Sequence, residues 1–365
     1  MLESTSDGRR GVQRRMHPGL TGTAKAFSAL GALAVTLAAC GSAGSASSPT
    51  ASASSGGAPA SSNVSALSGG FNISGKKILL EVDSVPSNTF FVPAVTGAKA
   101  AAAIAGLNLQ VEYASNSDTT ESSQIATAIA SGVSGIAAVV PDIGVAPALC
   151  KAAKAHIPVT AFNIDALTGT SSANCAQSFV GQSFVQAGEL IASYMVSQGL
   201  IKAGDQVFCP VESPEQVYAI QRRQGVENVL KPLGITCNEI GTGDNLAPAK
   251  ADMVNYLLGH PNTSAIIALG GTPLAEAEAA IKQVGKKIPI GGFDLSFPEI
   301  VSGIKDGAIA ASVNQEPYAQ GYYAVMELAL ELKYGIPPST MNTSDNALIT
   351  KSNVQQFSQL VPNYQ

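Results

Sequence analysis

Residues 76–113 read KKILLEVDSVPSNTFFVPAVTGAKAAAAIAGLNLQVEY, and this stretch decides the fold. KILLEV (77–82) is a short aliphatic run that ends in a polar turn, the pattern of a strand covered on both faces. FFVPAVTGAKAAAAIAGL then repeats small and apolar residues at helical spacing, and LQVEY (109–113) returns to strand character. A strand, a helix and a strand in this order form a βα unit, whose strands lie parallel.

The unit repeats along the chain. TTESSQIATAIAS reads as a helix, GIAAVV (135–140) as a strand, Val145 to Ala155 as a helix and PVTAFN (158–163) as a strand. A Ser/Thr/Gly-rich loop at Thr168–Ala176 interrupts the alternation, which resumes with SFVGQ and the helix SFVQAGELIASYMVSQ. QVFCPV (206–211), ITCNEI, AIIALG (265–270), PIGGFD (289–294) and IAASVNQ (309–315) are the later strands, each separated from the next by a helical stretch. A last helix, PYAQGYYAVMELALELKYG, and a strand near Leu348–Thr350 close the series. Two successive sets of about half a dozen strands predict an α/β protein of two Rossmann-like lobes with parallel sheets.

The residues before this repeat are of another kind. Residues 1–39 carry five basic side chains (Arg9, Arg10, Arg14, Arg15, Lys25) and two acidic ones, and then the uncharged run AFSALGALAVTLAA. That run has the length of a signal-peptide apolar region and is too short for a comfortable membrane span. It ends in Leu37-Ala38-Ala39-Cys40, the pattern of a bacterial lipobox, in which small residues admit the signal peptidase and the Cys thiol takes the lipid. An ordinary secretory signal followed by a chance Cys is the alternative. Arg14-Arg15 leaves Sec and twin-arginine export both open, and Met16 is a second possible start. Residues 40–70 comprise this Cys and a Gly/Ala/Ser/Pro/Thr tether with no apolar face to bury. The expected location is outside the cytoplasmic membrane, held to its outer face by an N-terminal lipid.

Cysteine usage agrees with an oxidising compartment. Of the five cysteines, Cys40 is assigned to lipidation, which leaves Cys150, Cys175, Cys209 and Cys237. Three pairings are possible. Cys150–Cys175 with Cys209–Cys237 is the expected one, because the second bond joins two sequential strands and the first fastens a helix end to a nearby loop.

Composition narrows the function. The chain is 45% hydrophobic and 13% charged, with 21 basic against 26 acidic residues, and the part after residue 39 has net charge -8. Such a surface repels phosphate, so nucleic acid is not an expected partner. HExxH, GxSxG, a complete GxGxxG and a Walker A loop are all absent; Gly241-Thr242-Gly243 lacks the third glycine. An enzyme and a cofactor are therefore not expected. Without CxxC, and with only His156 and His260 beyond the signal, neither is a metal site. Ligands of open parallel sheets bind at the carboxyl ends of the strands, and polar residues stand there: Asp83, Ser84, Asn163, Asp165, Glu212, Asp294, Gln315 and Glu316.

Over about residues 76–352 the chain resembles the type I solute-binding proteins of bacterial ABC importers, close to their ribose-binding branch. The marks are Asp83-Ser84-Val85-Pro86-Ser87-Asn88-Thr89-Phe90-Phe91 after the first strand, His156-Ile157-Pro158-Val159, Arg222 and Gly225, Gly292-Phe293-Asp294, and Val313-Asn314-Gln315. The resemblance implies two lobes closing on a ligand about a hinge of three crossovers, near Gln182–Ser183, Gln315–Pro317 and Asn342–Asp345. The N-terminal lobe is then 71–182 plus 316–343, and the C-terminal lobe 183–315 plus 344–365. A monomer that takes a small polyhydroxy ligand and delivers it to an ABC permease complex is implied. A receptor that presents its ligand to a membrane sensor would share these features.

Positions matching the family's ligand contacts are Ser84, Asn88, Phe90, Phe91 and Asn163, with Asp165 beside it, and Phe293, Asp294 and Gln315 in the second lobe and hinge. Planar groups with two polar atoms suit vicinal hydroxyls, and aromatic rings cover sugar C–H faces. The chain departs from the ribose pattern at four places. Asn163-Ile164 stands where an Asp-Arg pair is usual, Ile220 at a second ligand Arg, Gly270 at an Asn and Asn245 near a Phe. Losing two cationic forks implies a neutral ligand other than ribose in a less polar pocket.

Overall fold

The computed structural model of the chain describes residues 71–344 and 347–360. The export signal, Cys40, the tether and Asp345 lie outside these residues. The described chain begins with β1 (Lys77–Val82), α1 (Phe91–Ala105), β2 (Asn108–Tyr113), α2 (Asp118–Ala130), β3 (Gly135–Val140), α3 (Ala146–Lys154), β4 (Val159–Asp165) and β5 (Ser178–Gly181). It continues through α4 (Phe184–Ser197), β6 (Val207–Val211), α5 (Val217–Leu230), β7 (Cys237–Gly241), α6 (Leu246–Gly259), β8 (Ala265–Ile267), α7 (Gly271–Gln283), β9 (Ile290–Phe293), α8 (Pro298–Asp306) and β10 (Ala311–Val313). The last elements are α9 (Pro317–Tyr334), β11 (Met341–Asn342), β12 (Leu348–Thr350) and α10 (Val354–Leu360).

These strands form two six-stranded sheets, ordered β11-β5-β4-β3-β1-β2 and β12-β10-β9-β8-β6-β7. All neighbours are parallel except β10 and β12. In each sheet the chain starts in the interior, runs first to one edge and then reverses, so a switch point lies between β1 and β3 and again between β6 and β8. Loops diverge there and leave a crevice at the strands' carboxyl ends.

Helices cover both faces of both sheets, which is why the strands read as continuous apolar runs rather than alternating ones. Ile78, Leu80 and Val82 of β1 pack with Ala94 and Ala98 of α1 and Leu328 of α9, while Leu79 faces Ile125 and Leu149 on the other side. Glu81 shares the face of Leu79, where its side chain is fully buried. The helices α1 and α9 meet backbone to backbone. A Cβ at Gly97 would overlap the Tyr318 carbonyl and one at Gly321 the Ala94 carbonyl, so neither position admits a side chain.

Cys150 on α3 is bonded to Cys175, with Cα atoms 4.5 Å apart, and Cys209 on β6 to Cys237 on β7, at 5.6 Å. Three features differ from the sequence expectation, one being α10, which follows the strand expected to close the series. β8 stops at Ile267 rather than at residue 270, because Ala268–Gly270 lead directly into α7, with Gly270 as its N-cap. β11, only two residues long, was not expected; its register on Val180 and Gly181 comes from the returning chain, not from any local pattern.

Candidate functional site

A cleft of about 770 Å³ opens where the carboxyl ends of the two sheets face each other. From the first sheet it receives the loop after β1 and the end of β4. Asn88 shapes that loop: its Nδ2 donates to Ser84 Oγ at 2.8 Å, and its Oδ1 accepts from the backbone N–H of Phe90 at 3.0 Å. The turn sets Phe90 and Phe91 edge to face at 5.0 Å between ring centres, and both line the cleft. Phe91 is mostly buried in the core, so Phe90 offers the larger free ring surface.

Asn163 and Asp294 occupy equivalent places in the two lobes, one in β4 and the other just after β9. Both have left-handed backbone, with φ of 63° and 79°. Such conformations strain a residue with a side chain and persist where the surroundings enforce them, often at ligand sites. Asn163 Nδ2 donates to Gln320 Oε1 at 3.1 Å, and Gln320 Nε2 donates to the Gln315 carbonyl at 2.8 Å. Thr343 Oγ1 donates to the same carbonyl at 2.8 Å. This network ties together the strand end and two of the places where the chain passes between sheets. Asp294 Oδ1 accepts from Gln315 Nε2 at 2.8 Å. Burial raises the Asp294 pKa, while Arg222 and the Gln315 hydrogen bond oppose the rise.

Arg222 is the cation of the cleft. Its guanidinium is buried, donating from Nε and Nη2 to Gln182 Oε1 at 3.1 and 2.9 Å and from Nη1 to the Leu269 carbonyl at 2.7 Å. The Phe293 ring lies under it at 4.3 Å, with Tyr218 and Phe184 at 5.1 and 5.2 Å. Glu212 stands beside it after β6. Its Oε1 accepts from the Thr272 N–H at 2.8 Å, at the positive end of α7, and its Oε2 accepts from Tyr218 Oη–H at 3.1 Å. Burial raises the Glu212 pKa, and its own backbone N–H, that of Thr272 and the Arg222 charge hold part of the rise back.

Nine of the expected site residues line the cleft: Ser84, Asn88, Phe90, Phe91, Asn163, Asn245, Gly270, Asp294 and Gln315. Three do not. Ile220 is 44% exposed on the outer side of α5. At 100° per residue it points about 200° away from Tyr218 and from Arg222, which lie four apart on the cleft side. Asp165 closes a turn instead, accepting from the Leu167 N–H at 2.9 Å and from Thr168 Oγ1 at 2.6 Å. Phe293 is fully buried beneath Arg222 and acts on the site through it.

Of the two missing cations behind the expected less polar pocket, the geometry corrects one: Ile164 does line the cleft, but position 220 does not. Arg222, not position 220, supplies a guanidinium. Gly270 is not a vacancy, since a Cβ there would overlap the Glu212 carboxylate, which fills the space. Tyr218, Thr272, Asp244 and Phe297 also line the cleft and were not expected. The spacing of Tyr218 and Arg222 was the available signal for the first of these; the other three sit in loops and helix starts where no period marks them. Among the described residues no group of three or more His, Cys, Asp or Glu is placed to hold a metal ion, and no helix is long and apolar enough to cross a membrane.

Comparison with known proteins places this architecture. A family model described as a periplasmic binding protein domain matches residues 84–335. The xylose/arabinose-binding protein XylF of Sulfolobus acidocaldarius is 28% identical over 295 residues, which cover 76% of this chain and 71% of that protein. The ribose import binding protein RbsB of Bacillus subtilis is 25% identical over 254 residues, covering 69% of this chain and 80% of that one. Among solved structures, a carbohydrate transporter from Acidothermus cellulolyticus 11B in complex with myo-inositol matches with a TM-score of 0.71 at 26% identity, over 79% of this chain and 99% of the other.

Proposed function

The chain belongs to the periplasmic binding protein family, whose members similar to it are sugar-binding proteins and not enzymes, and from that premise we propose what it binds and how. Its ligand is a sugar or sugar-like polyol without an anionic group. It is captured in the cleft and delivered to an ABC permease complex. The observation that carries this reading is the pairing of Asn163, Asp294 and Gln315 with the Phe90 and Phe91 rings in one cleft between the two sheets. Acceptors and donors in a plane take vicinal hydroxyls, and the rings take the C–H face. An anionic ligand is disfavoured because the one guanidinium of the cleft already has the Asp294 and Glu212 carboxylates beside it.

The lobes are 71–182 with 316–343 and 183–315 with 344–365, and they close on the ligand about the three crossings. Gln320 and Arg222 each fasten a crossing to the cleft wall, Gln320 at Gln315 and Thr343, Arg222 at Gln182. The mature chain works as a monomer outside the cytoplasmic membrane, held there by lipid on Cys40 and a tether through residue 70.

A thermal-shift screen tests the reading. Pentoses, hexoses and inositols are compared with sugar acids, starting from xylose, arabinose, ribose and myo-inositol. Stabilisation by an uncharged member and not by the acids is expected. The Asp294→Ala variant then loses about 2 kcal/mol of binding or more, because ligand and Gln315 groups are left unpaired. No response to any polyhydroxy compound would refute the proposal, and undiminished binding by Asp294→Ala would remove Asp294 from the site.

A further inference from the structure

Charge is sorted along the strands of the first sheet. Its strands are all parallel, so their starts share one edge, opposite the carboxyl ends that face the cleft, and the covering helices run back to that edge. Residues 71–182 and 316–343 hold six basic side chains, all lysines, and five of them stand at this edge: Lys76 and Lys77 at the start of β1, Lys151 and Lys154 in the last turn of α3, and Lys333 in the last turn of α9. Acids stand at the other end, where Asp83, Asp118, Asp142, Asp165 and Glu316 end a strand, follow one or open a helix. Glu331, one turn before the end of α9, is engaged by Gln177, whose Nε2 donates to it at 3.0 Å. Lysines in a helix's last turn complement its dipole, which accounts for three of the five; Lys76 and Lys77 belong to no helix.

Apolar surface gathers at the same edge. Of the seven large hydrophobic side chains exposed among the described residues, Ile104 near the end of α1 is 57% exposed, Tyr334 at the end of α9 47%, and Ile336 just beyond it 51%. The chain enters the fold between them. The Ile73 N–H donates to the Ala105 carbonyl at 2.8 Å, Lys333 Nζ donates to the Asn72 carbonyl at 3.0 Å, and the Phe71 ring lies 5.8 Å from that of Tyr334. The chain leading back to Cys40 therefore departs from this edge. Lysines around an apolar centre fit anionic headgroups over hydrocarbon; a soluble polyanion offers nothing to the isoleucines. The corresponding edge of the second sheet is mixed instead, with Asp205 bonded to the Lys202 backbone, Asp306 next to Lys305, and Lys231 and Lys282 paired with Glu227 and Glu278. The net charge of -8 beyond residue 39 does not prevent such a contact. The six-residue β1 is about 20 Å long, more than twice the ~8 Å over which physiological salt screens a charge, so a bilayer at this edge meets the lysines and not the cleft acids.

We propose that this edge of the first sheet rests on the anionic phospholipid surface of the membrane, with Ile104, Tyr334 and Ile336 among the headgroups and Lys76, Lys151 and Lys154 on their phosphates. The posture turns the cleft away from the bilayer, open to incoming ligand. The inference goes beyond the sugar-binding reading and shares with it only the lipid on Cys40, which holds the same edge close.

Co-sedimentation with vesicles tests it on the chain from residue 40 onward, which contains both sheets whole, with Cys40→Ser so that no lipid contributes. Vesicles of phosphatidylcholine alone are compared with vesicles of equal parts phosphatidylcholine and phosphatidylglycerol. The partition coefficient is expected to be about tenfold higher or more on the anionic vesicles, and the ratio to shrink in about 0.5 M salt. Lys76→Gln, Lys151→Gln and Lys154→Gln together, all at exposed positions, lower binding to anionic vesicles about tenfold or more, whereas Lys202→Gln, Lys287→Gln and Lys305→Gln on the second sheet's edge lower it less than about twofold. Ile104→Ser with Ile336→Ser lowers it about threefold or more. Equal binding to the two kinds of vesicle, or equal losses from the two lysine triples, would overturn the proposal. Binding that the isoleucine pair leaves unchanged would overturn the bilayer in favour of a soluble polyanion such as polyphosphate. The mass of the wild-type chain made in a bacterial host reports separately whether Cys40 carries lipid, so failure of the anchor and failure of the contact are told apart.

Discussion

Raising the pH from about 5 to 7 is expected to weaken the first lobe, through the acids buried between β1 and α2. Glu81 and Glu121 are fully buried, and all four of their carboxyl oxygens lack a hydrogen-bond partner. Burial, with Glu112 and Asp83 nearby, raises the Glu81 pKa from 4.5 to about 8. Burial, then Asp83 and Glu81, raises that of Glu121 from 4.5 to about 10. The folded chain thus keeps protons that the unfolded chain releases. The stability these groups allow is complete below the unfolded value of 4.5, declines as pH rises above it, and levels off only where the folded groups ionise, at about 8 and 10. Each retained proton costs about 1.4 kcal/mol per pH unit, so a single one costs about 3 kcal/mol between pH 5 and 7. At roughly 2 °C or more per kcal/mol for a domain of this size, Tm falls by about 6 °C from this source. Thermal unfolding followed by circular dichroism, at half-unit steps of pH, measures it. Other carboxylates titrate too, so the informative quantity is the difference from Glu121→Gln, which keeps the shape and removes one titration. The variant's stability is expected to depend on pH less steeply, by about 1.4 kcal/mol per unit. Parallel curves for the two proteins would refute the reasoning.

Two further outcomes follow from the geometry. Gly270→Ala pushes the buried Glu212 carboxylate off the Thr272 N–H and the Tyr218 hydroxyl, so stability and ligand affinity are each expected to fall by about 1–3 kcal/mol; calorimetry showing unchanged affinity would remove Glu212 from the site. The denatured, unreduced domain is expected to show no reactive thiol at Cys150, Cys175, Cys209 and Cys237, and replacing Cys209 and Cys237 together by Ala costs about 3–4 kcal/mol for the 28-residue separation they close. Titration of four thiols before reduction would contradict the bonds.

Much of the fold was legible because burial on both faces leaves a strong local trace. Runs such as KILLEV and GIAAVV cannot be mistaken for exposed segments, and their alternation with helices dictates parallel pairing. The lining of the candidate cleft was legible wherever a residue sits at the end of such a run, as Asn163, Asp294 and Gln315 do. It was hidden wherever two distant residues compensate. Gly270 reads as a missing side chain until Glu212 is seen in its place, and the two are 58 positions apart in the chain. Position 220 reads as a lost cation until the turn of α5 shows Arg222 facing the cleft. Local pattern carries the scaffold, whereas pocket chemistry depends on which loops the switch points bring together.

The placement of α9 bears on the order in which the molecule can be assembled. The first-made sheet has Ile78, Leu80 and Val82 on one face, and Ala324, Val325 and Leu328 of α9 complete its cover. Those residues leave the ribosome only after the whole of the second sheet through β10, and β11 later still. A nascent or translocating chain therefore carries a half-clad sheet for most of its synthesis, the kind of surface that holdase chaperones bind. A premature stop after β10 would strike hardest at the lobe made first, since the last-made helix is part of its core.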